Sequence, residues 1–134
     1  NNVVYWSTTR SMARFGLLAL NNGNWDGATI INPTFFQEAT NSSQTINNSY
    51  GYLWWLNGKT SYHLPQSQFE FPGSLIPNAP KDMYCALGKN DQKIYVVPSK
   101  KLVVIRMGNA ADNANAALSD FDDVLWQKIN AVIN

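Results

Sequence analysis

The sequence predicts an α+β fold, an antiparallel β-sheet with helices packed on it. Three observations carry that expectation. The run Leu102-Val103-Val104-Ile105 is continuous and mostly β-branched, the composition of a strand buried on both faces. Two tight turns, at 88–91 and 98–100, join it to two earlier β-rich runs and so imply a three-stranded meander. Apolar residues near both ends of the chain recur instead at helical spacing.

The elements follow in order. Met12, Phe15, Leu18 and Ala19 form one apolar stripe, widened by Leu17 and Leu20, which predicts a helix. A Ser or Thr N-cap and the stop Asn21-Asn22-Gly23 fit its ends. Asn32 caps a short second helix, with Pro33 at its first position and Phe35, Phe36 and Ala39 inside. Residues 41–49 are polar and read as a loop. Gly51-Tyr52-Leu53-Trp54-Trp55-Leu56 reads as an aromatic strand, closed by Asn57-Gly58, a hairpin-turn signal. Residues 61–81 hold four prolines and little periodicity, so they read as an irregular surface connection with room for one short strand.

The meander comes next. Residues 83–87 lead to the turn Gly88-Lys89-Asn90-Asp91, and Lys93-Ile94-Tyr95-Val96-Val97 is strand-like. Pro98-Ser99-Lys100 turns the chain into the final strand. A last helix falls within 113–133, with Phe121, Val124, Leu125, Ile129, Val132 and Ile133 on its apolar face. Ser119 or the earlier Asp112 caps it. That helix is expected to lie across the sheet.

Composition narrows the function. The 134 residues suit one domain, and 45% hydrophobic content supports a core. A net charge of +1 gives no electrostatic basis for binding nucleic acid or an anionic membrane. No apolar run approaches the roughly 20 residues of a bilayer span. Residues 1–10 lack the pattern of a signal peptide. Cys85 is the only cysteine and His63 the only histidine, which excludes an internal disulfide and a zinc site built from these two residue types alone. No cofactor is implied. Asparagine fills 17 positions, so the two glycosylation-like triplets at Asn41 and Asn47 carry little weight.

Four stretches, Ser7-Thr8-Thr9-Arg10-Ser11-Met12-Ala13-Arg14-Phe15-Gly16-Leu17-Leu18, then Tyr50-Gly51-Tyr52-Leu53-Trp54-Trp55, then residues 88–92 with 94–106, and the helix around Trp126, together resemble the later half of penicillin-binding, class C β-lactamase-like serine hydrolases. The resemblance covers almost the whole chain. It implies that residues 1–134 are one unit, the C-terminal part of a larger β-lactamase/transpeptidase-like domain. It implies acyl-enzyme chemistry on β-lactams, D-amino-acid peptides, amides or esters, in a bacterial enzyme that is periplasmic or secreted.

The departures are equally informative. None of the ten serines has a lysine three positions later. Ser7 and Ser11 have Arg10 and Arg14 there, and arginine stays protonated, so it cannot serve as the base. No Lys-Thr-Gly triplet exists. Ala86-Leu87-Gly88 stands near its expected place, with only the glycine in agreement and Lys89 as a nearby cation. Nucleophile and base are therefore absent, and the segment alone is expected to be inactive.

Substrate contact, if any, falls to Gly88, Lys89, Gln92 and Trp54. Gly88 would let a ligand approach the backbone, Lys89 would supply a cation and Gln92 would orient the ligand. An ordinary hairpin turn with a solvated lysine explains the same residues. Trp54 and Trp55 point to opposite sides of a strand, one into the core and the other to the cleft or under residues 61–81. His63 reads as a surface residue, Cys85 as a small buried hydrophobe, and Asp120, Asp122 and Asp123 as partners of the helix dipole. Two alternatives to the hydrolase segment remain. One is a peptide- or glycan-binding module using an exposed strand edge. The other is a fragment that self-associates through exposed apolar surface.

Overall fold

The computed structural model of the chain describes residues 6–111 and 118–133. Its elements are α1 (Thr9–Leu20), β1 (Asn24–Trp25), β2 (Ala28–Thr29), α2 (Pro33–Ala39), β3 (Trp55–Leu56), β4 (Ser61–His63), β5 (Glu70–Pro72), β6 (Tyr84–Leu87), β7 (Lys93–Val97), β8 (Leu102–Arg106) and α3 (Asp120–Ile133). The class is α+β, as the sequence predicts. The main sheet has the order β3-β6-β7-β8 and is antiparallel throughout.

Both predicted caps of the early helices form. The Thr8 side chain accepts the Ser11 N–H at 3.2 Å, and Asn32 Oδ1 accepts the Thr34 N–H at 2.9 Å. The Gly23 N–H closes α1 on the Leu18 carbonyl at 2.9 Å. Helices then cover both faces of the sheet. Ala19 of α1 packs with Phe36, Trp54, Tyr84, Ile94 and Val96 on one face. Trp126 of α3 packs with Trp55, Cys85, Tyr95 and Val97 on the other. Consecutive residues of each strand thus enter opposite cores, and Trp54 and Trp55 divide in the same way. Close approach of α1 requires Gly16, where a Cβ would stand 2.4 Å from Val103 Cγ1.

Several expectations are corrected. β8 is an edge strand, half-buried along its whole length, and β7 is the strand buried on both faces. The aromatic segment supplies only two strand residues. Leu53 adopts φ 64°, and the Gly51 N–H donates to the Trp54 carbonyl at 2.8 Å, so the chain turns there. Asn57-Gly58 does not make a hairpin. The buried Asn57 side chain donates to the carbonyls of Ile76 and Ala79 at 3.0 and 3.1 Å and accepts the Ile76 N–H at 2.9 Å, fixing the 74–80 connection.

Residues 61–81 hold a paired hairpin, β4–β5, faced by the stacked rings of Tyr62 and Phe71. A further small hairpin, β1–β2, turns through Asp26 and Gly27 at φ 49° and 80°. Asp112 and the earliest part of the expected last helix lie outside the described residues. α3 begins at Asp120, where Asp122 Oδ2 accepts the Ser119 N–H at 3.0 Å, half of a capping box.

Candidate functional site

The turn 88–92 links the end of β6 to the start of β7. The Gly88 N–H closes it on the Gln92 carbonyl at 2.7 Å. Asn90 and Asp91 both stand at φ 57°, successive left-handed residues of the kind that Asn and Asp tolerate better than most. Gly88 itself is extended, at φ −106° and ψ 169°. A Cβ there would stand 3.2 Å from the Gln92 carbonyl oxygen, so its missing side chain serves closure of the turn.

The turn is stitched to the chain after β8. Gln92 Nε2 donates to the Asn90 carbonyl at 2.8 Å and to the Gly108 carbonyl, while its Oε1 accepts the Gly108 N–H at 3.1 Å. Arg106 Nη1 donates to the carbonyls of Asn90 and Asp91 at 3.1 and 3.2 Å, and Nη2 to that of Asn109. The guanidinium lies 5.0 Å above the Phe121 ring, a cation–π contact with α3.

Beneath this surface is a buried ionic centre. Lys93 Nζ sits 3.1 Å from Asp91 Oδ1 and 3.0 Å from Asp122 Oδ2, and none of the three side chains is more than 2% exposed. Asp91 also accepts the Ala111 N–H at 2.9 Å and the Ser119 hydroxyl at 3.1 Å. Asp122 accepts the Tyr95 hydroxyl. Desolvation pushes the Asp91 carboxyl up, but the hydrogen bonds from Ala111, Lys93 and Ser119 outweigh it and hold its pKa below the usual value. Burial, then the Asp122 charge, pushes the Tyr95 phenol up. Cys85 is fully buried, and burial followed by the Asp122 charge raises its thiol pKa.

Gly88, Lys89 and Gln92 therefore meet in one turn. Lys89 is exposed at its tip, and Gln92 is engaged in backbone bonding. Trp54 stands apart. It is 7% exposed, edge-on to Tyr84 at 5.2 Å and stacked with Phe15 at 6.1 Å. Tyr84 begins β6 and Gly88 follows its end, a separation of about 13 Å along the strand. The backbone of His63 is held by the Asn47 side chain, with its carbonyl 3.1 Å from Asn47 Nδ2. Asp123 takes the Asn78 N–H and side-chain amide at 2.7 Å each, so it braces a loop as well as the helix start. Among the described residues no group of three His, Cys, Asp or Glu side chains is placed to hold a metal ion.

Sequence reasoning missed the ionic centre. Its one signal was Lys93 itself, a cation that shares strand parity with the inward-facing Tyr95 and Val97. An apolar groove of about 420 Å³, lined by Leu102, Val104, Lys128, Ile129, Val132 and Ile133, lies at the other end of β8 from Arg106. Chemically, the turn presents the exposed Lys89 side chain, while the Gly88 N–H and the Asn90 and Asp91 carbonyls are paired within the chain. It offers no nucleophile–base pair.

No family model matches the chain, and no curated protein matches it. Among solved structures the chain is similar to one described as "Putative 6-aminohexanoate-dimer hydrolase from Bacillus anthracis", with a TM-score of 0.58 and 22% identity. The match covers 93% of this chain and 30% of that one, so the chain spans about a third of that structure's length. At this identity the likeness is one of fold. The α+β arrangement of α1, sheet and α3 is shared in fold with part of that structure.

Proposed function

We propose that the chain is the C-terminal segment of a β-lactamase-like serine hydrolase whose nucleophile lies on polypeptide outside these 134 residues. The observation that carries this reading is the likeness in fold to part of a hydrolase over 93% of the chain. The missing Ser-x-x-Lys supports the division of labour. In this reading the upstream part attacks a carbonyl and forms an acyl-enzyme. The turn 88–92 borders the cleft and presents Lys89 to the substrate, a β-lactam, D-amino-acid peptide, amide or ester. The parent enzyme works in the periplasm or outside the cell.

The test is acylation by a fluorescent penicillin and by a fluorophosphonate, read by intact mass. The 134-residue chain alone is expected to take up neither. The full polypeptide that carries it is expected to be modified on a serine upstream of Asn1. An adduct on the isolated chain, or a full polypeptide without a Ser-x-x-Lys, overturns the reading.

One observation favours a second reading, a peptide-binding module. β8 is an apolar edge strand, and an extended peptide can add to such an edge. Saturable binding of a peptide by the full polypeptide, without turnover of any ester or amide, is the outcome that selects it.

A further inference from the structure

Lys93 is an unusual residue to find buried at the start of an inner strand. Burying an ammonium is costly, and an apolar side chain of similar volume commonly serves stability as well or better. Lys93 nevertheless occupies a position on β7, the strand buried on both faces, with its side chain fully covered. What it gains is geometry. Its two carboxylate partners come from different parts of the chain, Asp91 from the turn 88–92 and Asp122 from the first turn of α3. Ser119, just before α3, touches both carboxylates, at 3.1 Å from Asp91 Oδ1 and 3.0 Å, through its N–H, from Asp122 Oδ2.

The turn needs such a hold. Asn90 and Asp91 are both left-handed and neither is glycine. Consecutive residues of that kind persist where their surroundings over-determine them. Asp91 is the one that points inward, and its carboxylate is saturated by Lys93, Ala111 and Ser119. With Asp91 held inside, Lys89 and Asn90 are left facing solvent.

We propose that Lys93 is a positioning residue. Through Asp91 and Asp122 it fixes the left-handed turn 88–92 against the start of α3, and so sets where Lys89 is presented. The significance of that presentation for substrate rests on the hydrolase reading; the coupling itself does not. A purely structural core residue would loosen the whole sheet when replaced. A positioning residue loosens the turn first.

Hydrogen–deuterium exchange of the full polypeptide, read by mass spectrometry, separates the two. The variants are Lys93→Met, which keeps length without charge, and Asp91→Asn, which keeps shape and leaves the Lys93–Asp122 pair. In both, at labelling times too short for global unfolding to expose β7 and β8, segments 86–92 and 107–111 are expected to exchange about tenfold faster than in the parent, while segment 94–105 stays protected. If Lys93→Met fails to fold, Asp91→Asn decides. Equal acceleration of all three segments, or no acceleration of the turn, overturns the proposal. No catalytic activity enters this measurement, so its failure is distinct from failure of the hydrolase reading.

Discussion

β7 and β8 are neighbours of equal length and similar apolar content, yet they live in different environments. Every residue of β7 is buried, including a lysine, while every residue of β8 is half-buried, including two valines, a leucine and an isoleucine. Composition alone would rank them the other way. The difference comes from sheet order. β7 lies between β6 and β8 and beneath helices on both faces, whereas β8 has a strand on one side only. Burial is thus a property of position in the sheet, and a charged residue can occupy the deeper position when its partners arrive from elsewhere in the chain.

The largest test of this contrast is removal of the β7 cation. Lys93→Ala leaves two buried carboxylates without it, and a loss of about 3–5 kcal/mol in unfolding free energy is expected. Urea denaturation of the variant and parent measures it. A loss below about 1 kcal/mol, typical of an exposed pair, would place the centre effectively in water.

Next comes a matched truncation. Val96 of β7 is fully buried, and Val96→Ala should cost about 2 kcal/mol through two lost methyl groups and the space they leave. Val104→Ala on β8 should cost roughly half as much, because its side chain already meets solvent. Equal losses would erase the distinction between the two strands.

The smallest expected effect is a pH dependence confined to the β7 side. Asp91 has its pKa lowered in the folded state, so the unfolded chain binds the proton more readily. Its contribution is present above the ordinary value of 3.8 and is lost as pH falls through the lower folded value. Stability curves of Asp91→Asn should therefore be flatter than the parent's between 3.8 and the lower folded value. Tyr95 acts at the other end. Its raised pKa makes stability fall as pH climbs above 10.0, where the unfolded phenol ionises first. Tyr95→Phe should reduce that alkaline loss, as read by thermal melts across the range.

Much of the fold is legible in the sequence because local chemistry decides it. Thr8 and Asn32 cap their helices with side chains that reach two or three residues along the chain. The turns at 88–92 and 98–100 set the meander, and strand alternation divides Trp54 from Trp55. The failures have tertiary causes. Asn57-Gly58 carries a hairpin signal, but Asn57 is drawn to carbonyls of residues 76–80, far along the chain. The edge position of β8 follows from sheet order, which no local pattern encodes. The hairpin at Asp26-Gly27 carries a turn signal that the sequence reading passed over, because the strands it joins are only two residues each. Of the candidate site, the turn itself was readable. Engagement of Gln92 by Gly108, and of Asp91 by Lys93, depends on segments meeting across the sheet.

Cys85 sits on β6 with no exposed surface, and its thiol is held protonated by its surroundings. An aromatic disulfide reagent can reach that sulfur only when the middle of the sheet parts, because reactivity requires both access and the thiolate. The rate of thiol labelling therefore times the opening of the core itself and ignores fraying at its margins. The chain carries, at its one cysteine, an internal clock for the loss of its own tertiary structure.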